Sequence, residues 1–243
     1  MTTTARFELS GAADVSAGDL VRLDGAEGRH AADVRRLRVG EPIDLTDGLG
    51  ALLHATVTEV HRGGLAAEVG SVEVVERPSP LFTVVQALAK GGRDEQAVET
   101  MTEIGVDEVL GWQAERCIAR WTDRSAARWS ETARAAAKQA RRAWWPTVSG
   151  PASTADVARR LAEADLGLVL HEAAAESLAD LAVPPQGDVV VVVGPEGGIS
   201  DRELSELTAA GGRAVRLGDT VLRASTAGAA ALAVLSAATR WRT

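Results

Sequence analysis

Two short stretches near the C-terminus gather the residues best placed to do chemistry. The first, GPEGGIS (residues 194–200), follows five consecutive valines and carries one carboxylate, Glu196, and no lysine. The second, RLGDTVLRASTAG (216–228), places a cation, Arg223, just ahead of an alanine-rich run. A glycine-rich loop between a strand and a helix commonly binds phosphate, but both common fingerprints are missing. Neither G-x-G-x-x-G nor G-x-x-x-x-G-K-[ST] occurs here. With Glu196 inside the loop, a polyphosphate meets repulsion. A ligand carrying positive charge, or hydrogen-bonding groups on a ribose and a purine, fits better. The other reading is a purely structural turn. Ser200 followed by Glu203 has capping-box spacing, which starts a helix there. Gly194, Gly197 and Gly198 then remove side chains where a ligand could approach the backbone.

Charge supplies a second signal. The 243-residue chain has a formal net charge of −8, yet between Arg116 and Arg142 eight cations face only Asp123 and Glu131. A smaller cluster, Arg29, Arg35, Arg36 and Arg38, sits in an otherwise acidic N-terminal third. Local patches rather than net charge set the footprint for nucleic-acid phosphates; the alternative is a solvated helix face. Trp121, Trp129, Trp144 and Trp145 lie among these cations and could stack on bases, although Trp129 reads better as core. Four scattered histidines and the single Cys117 lack ligand spacing, so no metal is expected. There is no apolar run of membrane-spanning length and no signal-peptide pattern, so a cytoplasmic protein is expected.

The elements that must position these residues fall into two parts. EPIDLT, ALLHATVTEVH and LAAEVGSVEVV read as strands separated by Asp47-Gly48 and Gly63-Gly64, with FELS and DLVRL upstream. They predict a small β-barrel or sheet over residues 1–75, with EGRHAADVRRLRVG as a short basic helix ended by Gly40. ERPSP marks the boundary, and strand–helix alternation follows over 76–243, predicting a parallel sheet covered on both faces. A long helix is expected from Arg124 to Trp144, stopped by Pro146. The last helix is expected over Ser225–Thr239, with Ser225 or Thr226 as its cap.

GPEGGIS followed by LGDTVLRASTA resembles the paired C-terminal motifs of the SPOUT methyltransferases, and within them the RsmE family, which methylates N3 of a uridine in 16S ribosomal RNA. GRHAADVRRLRVGEPIDLTDG is similar to that family's H-x-x-x-V-L-R-x-x-x-G-D segment. QALAKGGRDEQAVETMTEIGVDEV is similar to its K-x-x-[KR]-x-E…E-L-G-V block. ERC (115–117), RW (128–129) and KQARRAWWP (138–146) follow in family order. The resemblance covers nearly the whole chain. It implies a PUA-like N-terminal β-barrel, a trefoil-knotted α/β domain, a homodimer, and S-adenosylmethionine (SAM) as cofactor.

Carried over by position, the cofactor contacts would be Leu170, His171, Glu172, Gly194, Pro195, Glu196, Gly197, Gly198, Leu217, Gly218, Val221, Leu222 and Arg223. Arg223 would stabilise negative charge on the uracil as its N3 proton leaves, and Glu196 would be the base or a cofactor contact. Arg29, Arg35, Arg36, Arg38, Lys90, Arg93, Arg116, Lys138 and Arg142 would hold 16S rRNA, in the small ribosomal subunit. One departure stands out. Where the family reads R-x-E-T-A, this chain has Arg223-Ala224-Ser225-Thr226-Ala227. Serine in place of the glutamate implies a capping or orienting role that Ser225 fills in part. Gly92 and Asp94 also stand where the family has other polar residues. A SPOUT enzyme acting on another RNA position, or a non-catalytic RNA-binding assembly factor, remain the alternatives.

Overall fold

A computed structural model describes residues 4–242, which gather into two compact units. The first takes the chain up to Arg77 together with Ala137–Trp145. The second takes Pro78–Ala136 and the chain from Pro146 onward.

In the first unit, alternating apolar residues make a five-stranded sheet from β1 (Ala5–Glu8), β2 (Leu20–Leu23), β3 (Pro42–Thr46), β4 (Ala51–His61) and β5 (Gly64–Val74). Leu53, Ala55 and Val57 of β4 face the core while His54, Thr56 and Thr58 face solvent, the period of two that a half-buried strand requires. The order is β1-β3-β4-β5-β2, with β1 parallel to β3 and the other pairs antiparallel. The hydrogen-bonded ladder is therefore open between β1 and β2 rather than closed into a barrel. The expected basic helix is shorter than read. It consists of α1 (Gly25–Arg29) and one π-helical turn, His30–Val34. Arg36 then adopts a left-handed φ of 55° and Leu37 returns to the core, so the RRLR stretch cannot stay helical.

Residues 137–145, which no sequence signal joined to this part, pack within it. Trp144 sits on Gly50 and donates from Nε1 to the Val75 carbonyl at 2.8 Å. Trp145 covers Gly48, where an added Cβ would lie 2.4 Å from its ring. Arg77 stands 5.6 Å over the Trp144 ring. Each of these two half-buried tryptophans thus has one ring face seated on a glycine of the protein.

The second unit is built on seven strands: β6 (Leu81–Ala87), β7 (Glu108–Trp112), β8 (Thr147–Ala152), β9 (Leu166–Leu170), β10 (Glu176–Ser177), β11 (Asp188–Val193) and β12 (Arg213–Arg216). Their order is β10-β12-β9-β11-β6-β7-β8, and every neighbouring pair is parallel. The helices are α2 (Arg93–Ile104), α3 (Asp123–Gln139), α4 (Thr154–Ala162), α5 (Asp201–Ala209) and α6 (Ala224–Ala238). The valine run is the central strand β11, and its side chains split between two cores. Val189, Val191 and Val193 join Phe82, Met101, Trp129 and Leu232, whereas Val190 and Val192 join Val85, Trp112, Val157 and Leu207. A strand buried on both faces needs the continuous apolar run seen in the sequence.

Three sequence expectations change here. The helix expected to reach Trp144 stops at Gln139, because Arg141 turns left-handed at φ 56° and sends the tryptophans to their glycine seats. Strand β8, TVSGPA, went unread: it is an edge strand with one buried residue, so no periodic pattern marks it. Neither Ser225 nor Thr226 caps α6. Arg223 is the N-cap, in extended conformation without a side-chain bond, and Ser225 lies inside the first turn, buried. The small residues of α6 serve packing within the chain. A Cβ on Gly228 would meet Met101 Sδ of α2 at 2.6 Å.

Candidate active site

Because β9, β11 and β12 are parallel neighbours, their C-terminal ends release three loops at one edge of the sheet, where ligands of open α/β sheets collect. Those loops enclose a cavity of about 680 Å³. Its lining takes Leu170, His171 and Glu172 from the first loop, Gly194 to Gly198 from the second, and Leu217, Gly218, Val221, Leu222 and Arg223 from the third. All thirteen residues named as cofactor contacts from the sequence meet in this one space. Val193, Ile199, Asp201, Arg216, Thr220, Ala224 and Ala227 also line it and were not named. Their neighbours along the chain were the only signal that could have found them.

The second loop is held from below by a buried carboxylate. Glu203, in the first turn of α5, is fully inaccessible to solvent. Its Oε1 accepts from the Glu115 amide at 2.8 Å and from Thr154 Oγ1 at 3.1 Å. Its Oε2 accepts from the Ser200 amide at 3.2 Å and lies 3.0 Å from Ser200 Oγ. Three donors, with the single Ser200 hydroxyl proton shared between Glu203 and Glu115, satisfy a charge that burial would otherwise penalise heavily. The same contacts tie the loops after β7, β8 and β11 to one point. Ser200 Oγ also reaches Glu115 at 3.0 Å, and this bond, with Arg202 alongside, lowers the Glu115 carboxyl below its usual range. Beside Glu115, Arg116 donates from Nη1 to the Gly197 carbonyl at 3.1 Å and lines the cavity. Arg116 therefore stands at the cofactor-type cavity, although the sequence reading grouped it with RNA contacts.

The glycines of the loop have neighbours of their own. A Cβ on Gly194 would strike Ile199 at 2.7 Å, one on Gly197 would press on Arg116 at 3.2 Å, and Gly198 has φ 74°. Close approach is required, but the nearest atoms belong to the protein. Glu196 is exposed and pairs with Arg93 Nη1 at 3.5 Å. Arg216 pairs with Asp219 at 2.9 Å. Arg223 is exposed, and among the described residues no carboxylate pairs with it. It is the cavity's uncommitted cation.

The remaining cations divide between the units. Arg29, Arg35, Arg36 and Arg38 are exposed on the first unit, which also holds Lys138 and Arg142. Lys138 is half-buried and paired with Glu27. Lys90 and Arg93 are exposed on the second unit. Trp129 is fully buried, with Trp121 packed edge-on at 5.0 Å. Cys117 is partly buried, and that burial raises its thiol above the usual range. Among the described residues no group of three or more His, Cys, Asp or Glu could hold a metal ion, and no helix is long and apolar enough to cross a membrane.

Comparison with known proteins gives the same outline. A family described as RNA methyltransferase domain matches residues 76–236, and one described as RNA methyltransferase PUA domain matches residues 23–70. Ribosomal RNA small subunit methyltransferase E of Mycobacterium bovis is 47% identical over 233 residues, 92% of this chain and 89% of the relative. Among solved structures, a methyltransferase of Legionella pneumophila in complex with SAM superposes with TM-score 0.87 at 31% identity, covering 98% of this chain and 99% of the other. Ribosomal RNA small subunit methyltransferase E of Neisseria gonorrhoeae, bound to S-adenosyl methionine, gives 0.86 at 31% identity, covering 97% and 98%.

Proposed function

The chain belongs to the family of ribosomal RNA small subunit methyltransferase E, and from that premise we propose that it transfers a methyl group from SAM to N3 of a uridine in 16S rRNA. The observation that carries the reading is the convergence of the three loops after β9, β11 and β12 on one lysine-free cavity. The lining suits the cofactor. Leu170, Val193, Ile199 and Leu222 offer apolar surface for an adenine, glycine-loop backbone offers donors and acceptors, and Glu172 and Glu196 suit a sulfonium. SAM supplies an electrophilic methyl group when bound.

The chain's own residues do the rest. Holding the uracil in line with the methyl accounts for much of the rate. The N3 proton must also leave, and the negative charge spreads onto O2 and O4. Arg223, with no carboxylate among the described residues committed to it, stabilises that charge. Glu196 accepts the proton or contacts the cofactor, after parting from Arg93. The cations Arg29, Arg35, Arg36, Arg38, Lys90, Arg93, Arg116, Lys138 and Arg142 hold rRNA in the small subunit. Residues 1–75 act as the PUA-like part and 76–243 as the methyltransferase, a cytoplasmic homodimer. Its C-terminal segment threads a trefoil knot, a reading supported by α6 leaving the β12 loop to pack on α2, β6 and β11.

Small subunits from a strain lacking the gene, incubated with the protein and SAM, should gain 3-methyluridine by nucleoside mass spectrometry. Methylation at another atom would sink the N3 assignment. Failure to bind SAM in calorimetry would leave an RNA-binding assembly factor as the better account.

A further inference from the structure

A second cavity, of about 340 Å³, opens at the same edge of the sheet. It lies between the loop after β6 and the start of α3, and of its lining the methyl-transfer reading uses Lys90 alone, as one of the RNA-holding cations. Lys90, Asp94, Glu95, Arg120, Ser125 and Arg128 supply its polar groups. Most of them are already engaged. Asp94, 7% exposed, accepts from the Glu95 amide at 3.1 Å and from Trp129 Nε1 at 3.3 Å. Ser125 Oγ is bonded to Thr122. Arg128 pairs with Glu95 at 3.2 Å. Lys90 and Arg120 are exposed, and among the described residues neither pairs with a carboxylate. The open binding capacity of this cavity is therefore cationic. The loop stays clear because Gly91 and Gly92 are left-handed, at φ 67° and 77°, and no atom lies within 4 Å of where a Cβ would stand on either.

The two cavities are neighbours. Arg93, between the lining residues Gly92 and Asp94, reaches Glu196 on the rim of the larger cavity. Arg116 lines the larger cavity and Arg120 the smaller, four residues on in the same loop, so their Cα atoms are at most about 14 Å apart. We propose that this second cavity is a phosphodiester site, in which Lys90 and Arg120 hold a backbone phosphate of the RNA strand next to the nucleotide being methylated. The inference rests on the methyltransferase reading for its substrate. Its physical content is that phosphate, unlike the sulfonium-type ligand of the first cavity, needs cations left unpaired by the fold.

The test compares the full-length protein with Lys90→Ala, Arg120→Ala and the double variant. Arg159→Ala serves as a control, an exposed cation outside both cavities. Binding of a single-stranded RNA oligonucleotide is titrated across salt concentrations, and methylation kinetics are measured on small subunits. The double variant should bind RNA about tenfold more weakly, with a log–log salt slope shallower by about 1. It should show a raised KM for RNA, kcat within about twofold, and unchanged SAM affinity. Arg120→Lys, which keeps the charge, should recover most of the binding. An unchanged salt slope and KM would overturn the proposal, as would an equal loss in Arg159→Ala or a fall in kcat at constant KM. If the double variant fails to fold, the two single variants carry the same comparison. If the unsubstituted protein binds no SAM, the methyltransferase reading fails, and the salt slope still judges the phosphate site.

Discussion

Among the residues of the larger cavity, commitment separates roles that sequence alone leaves equal. Glu196 has Arg93 and Arg216 has Asp219, whereas Arg223 faces the cavity with no carboxylate partner among the described residues. Arg223→Ala should therefore lower kcat by about 10² to 10³, the cost of removing one preorganised donor from a developing oxyanion. SAM affinity measured by calorimetry should change far less. Full activity in that variant would exclude Arg223 as the charge stabiliser. Cys117 gives a second prediction at this scale. Its burial raises the thiol, so at pH 8 it should react with a disulfide reagent far more slowly than a free cysteine, and unfolding should restore the rate. The sequence announced Arg223 through its place after LGDTVL, but not that it would be uncommitted. Ion pairing joins residues far apart in the chain, such as Arg93 and Glu196, and no local pattern encodes it.

The elements owe their positions to a few polar anchors. Glu203 fastens the loops after β7, β8 and β11 to α5, so Glu203→Ala should cost about 2 to 4 kcal/mol by denaturant unfolding, since it orphans several buried donors. Glu203→Gln, which keeps an acceptor, should cost less. Glu115 adds a pH dependence. Its folded carboxyl lies below the ordinary 4.5, so its contribution to stability is present above about pH 4.5 and is lost as pH falls through the lowered value. The stability gap between the protein and Glu115→Ala should shrink below that pH, and a gap independent of pH would refute this. At the end of α6, Arg240 donates to the carbonyls of Pro80 and Gly105 and pairs with Asp107, both side chains being nearly buried. Arg240→Ala should destabilise by about 3 kcal/mol or more, because it leaves Asp107 buried without its cation. The capping box at Ser200 was legible because capping is local, three residues from partner to partner. The cap of α6 was misread because Ser225 offers the right residue type two residues too late, where Arg223 already sets the entry. Edge strand β8 was invisible for a related reason: half-solvated and glycine-containing, it shows no period.

For the whole molecule, net charge and function point in opposite directions. A protein at −8 should be repelled by RNA, yet its cations are gathered on exposed stretches such as Arg29–Arg38 and around the two cavities. RNA affinity should therefore fall at least tenfold between about 50 and 200 mM salt, and a flat salt response would argue against phosphate contacts. The sequence by itself determined the alternating strand–helix order, the valine strand, the helix start at Ser200 and, through its resemblance, thirteen of the residues that line the larger cavity. These are set by local periodicity, local capping and motif identity, all of which survive in one dimension. Tertiary structure alone decided that 137–145 packs with the N-terminal unit, that Trp144 and Trp145 are seated on Gly50 and Gly48, and that Lys90 and Arg120 line a second cavity with no carboxylate pairing either among the described residues. Those outcomes depend on which distant groups compete for the same partner, and that competition exists only once the chain has folded.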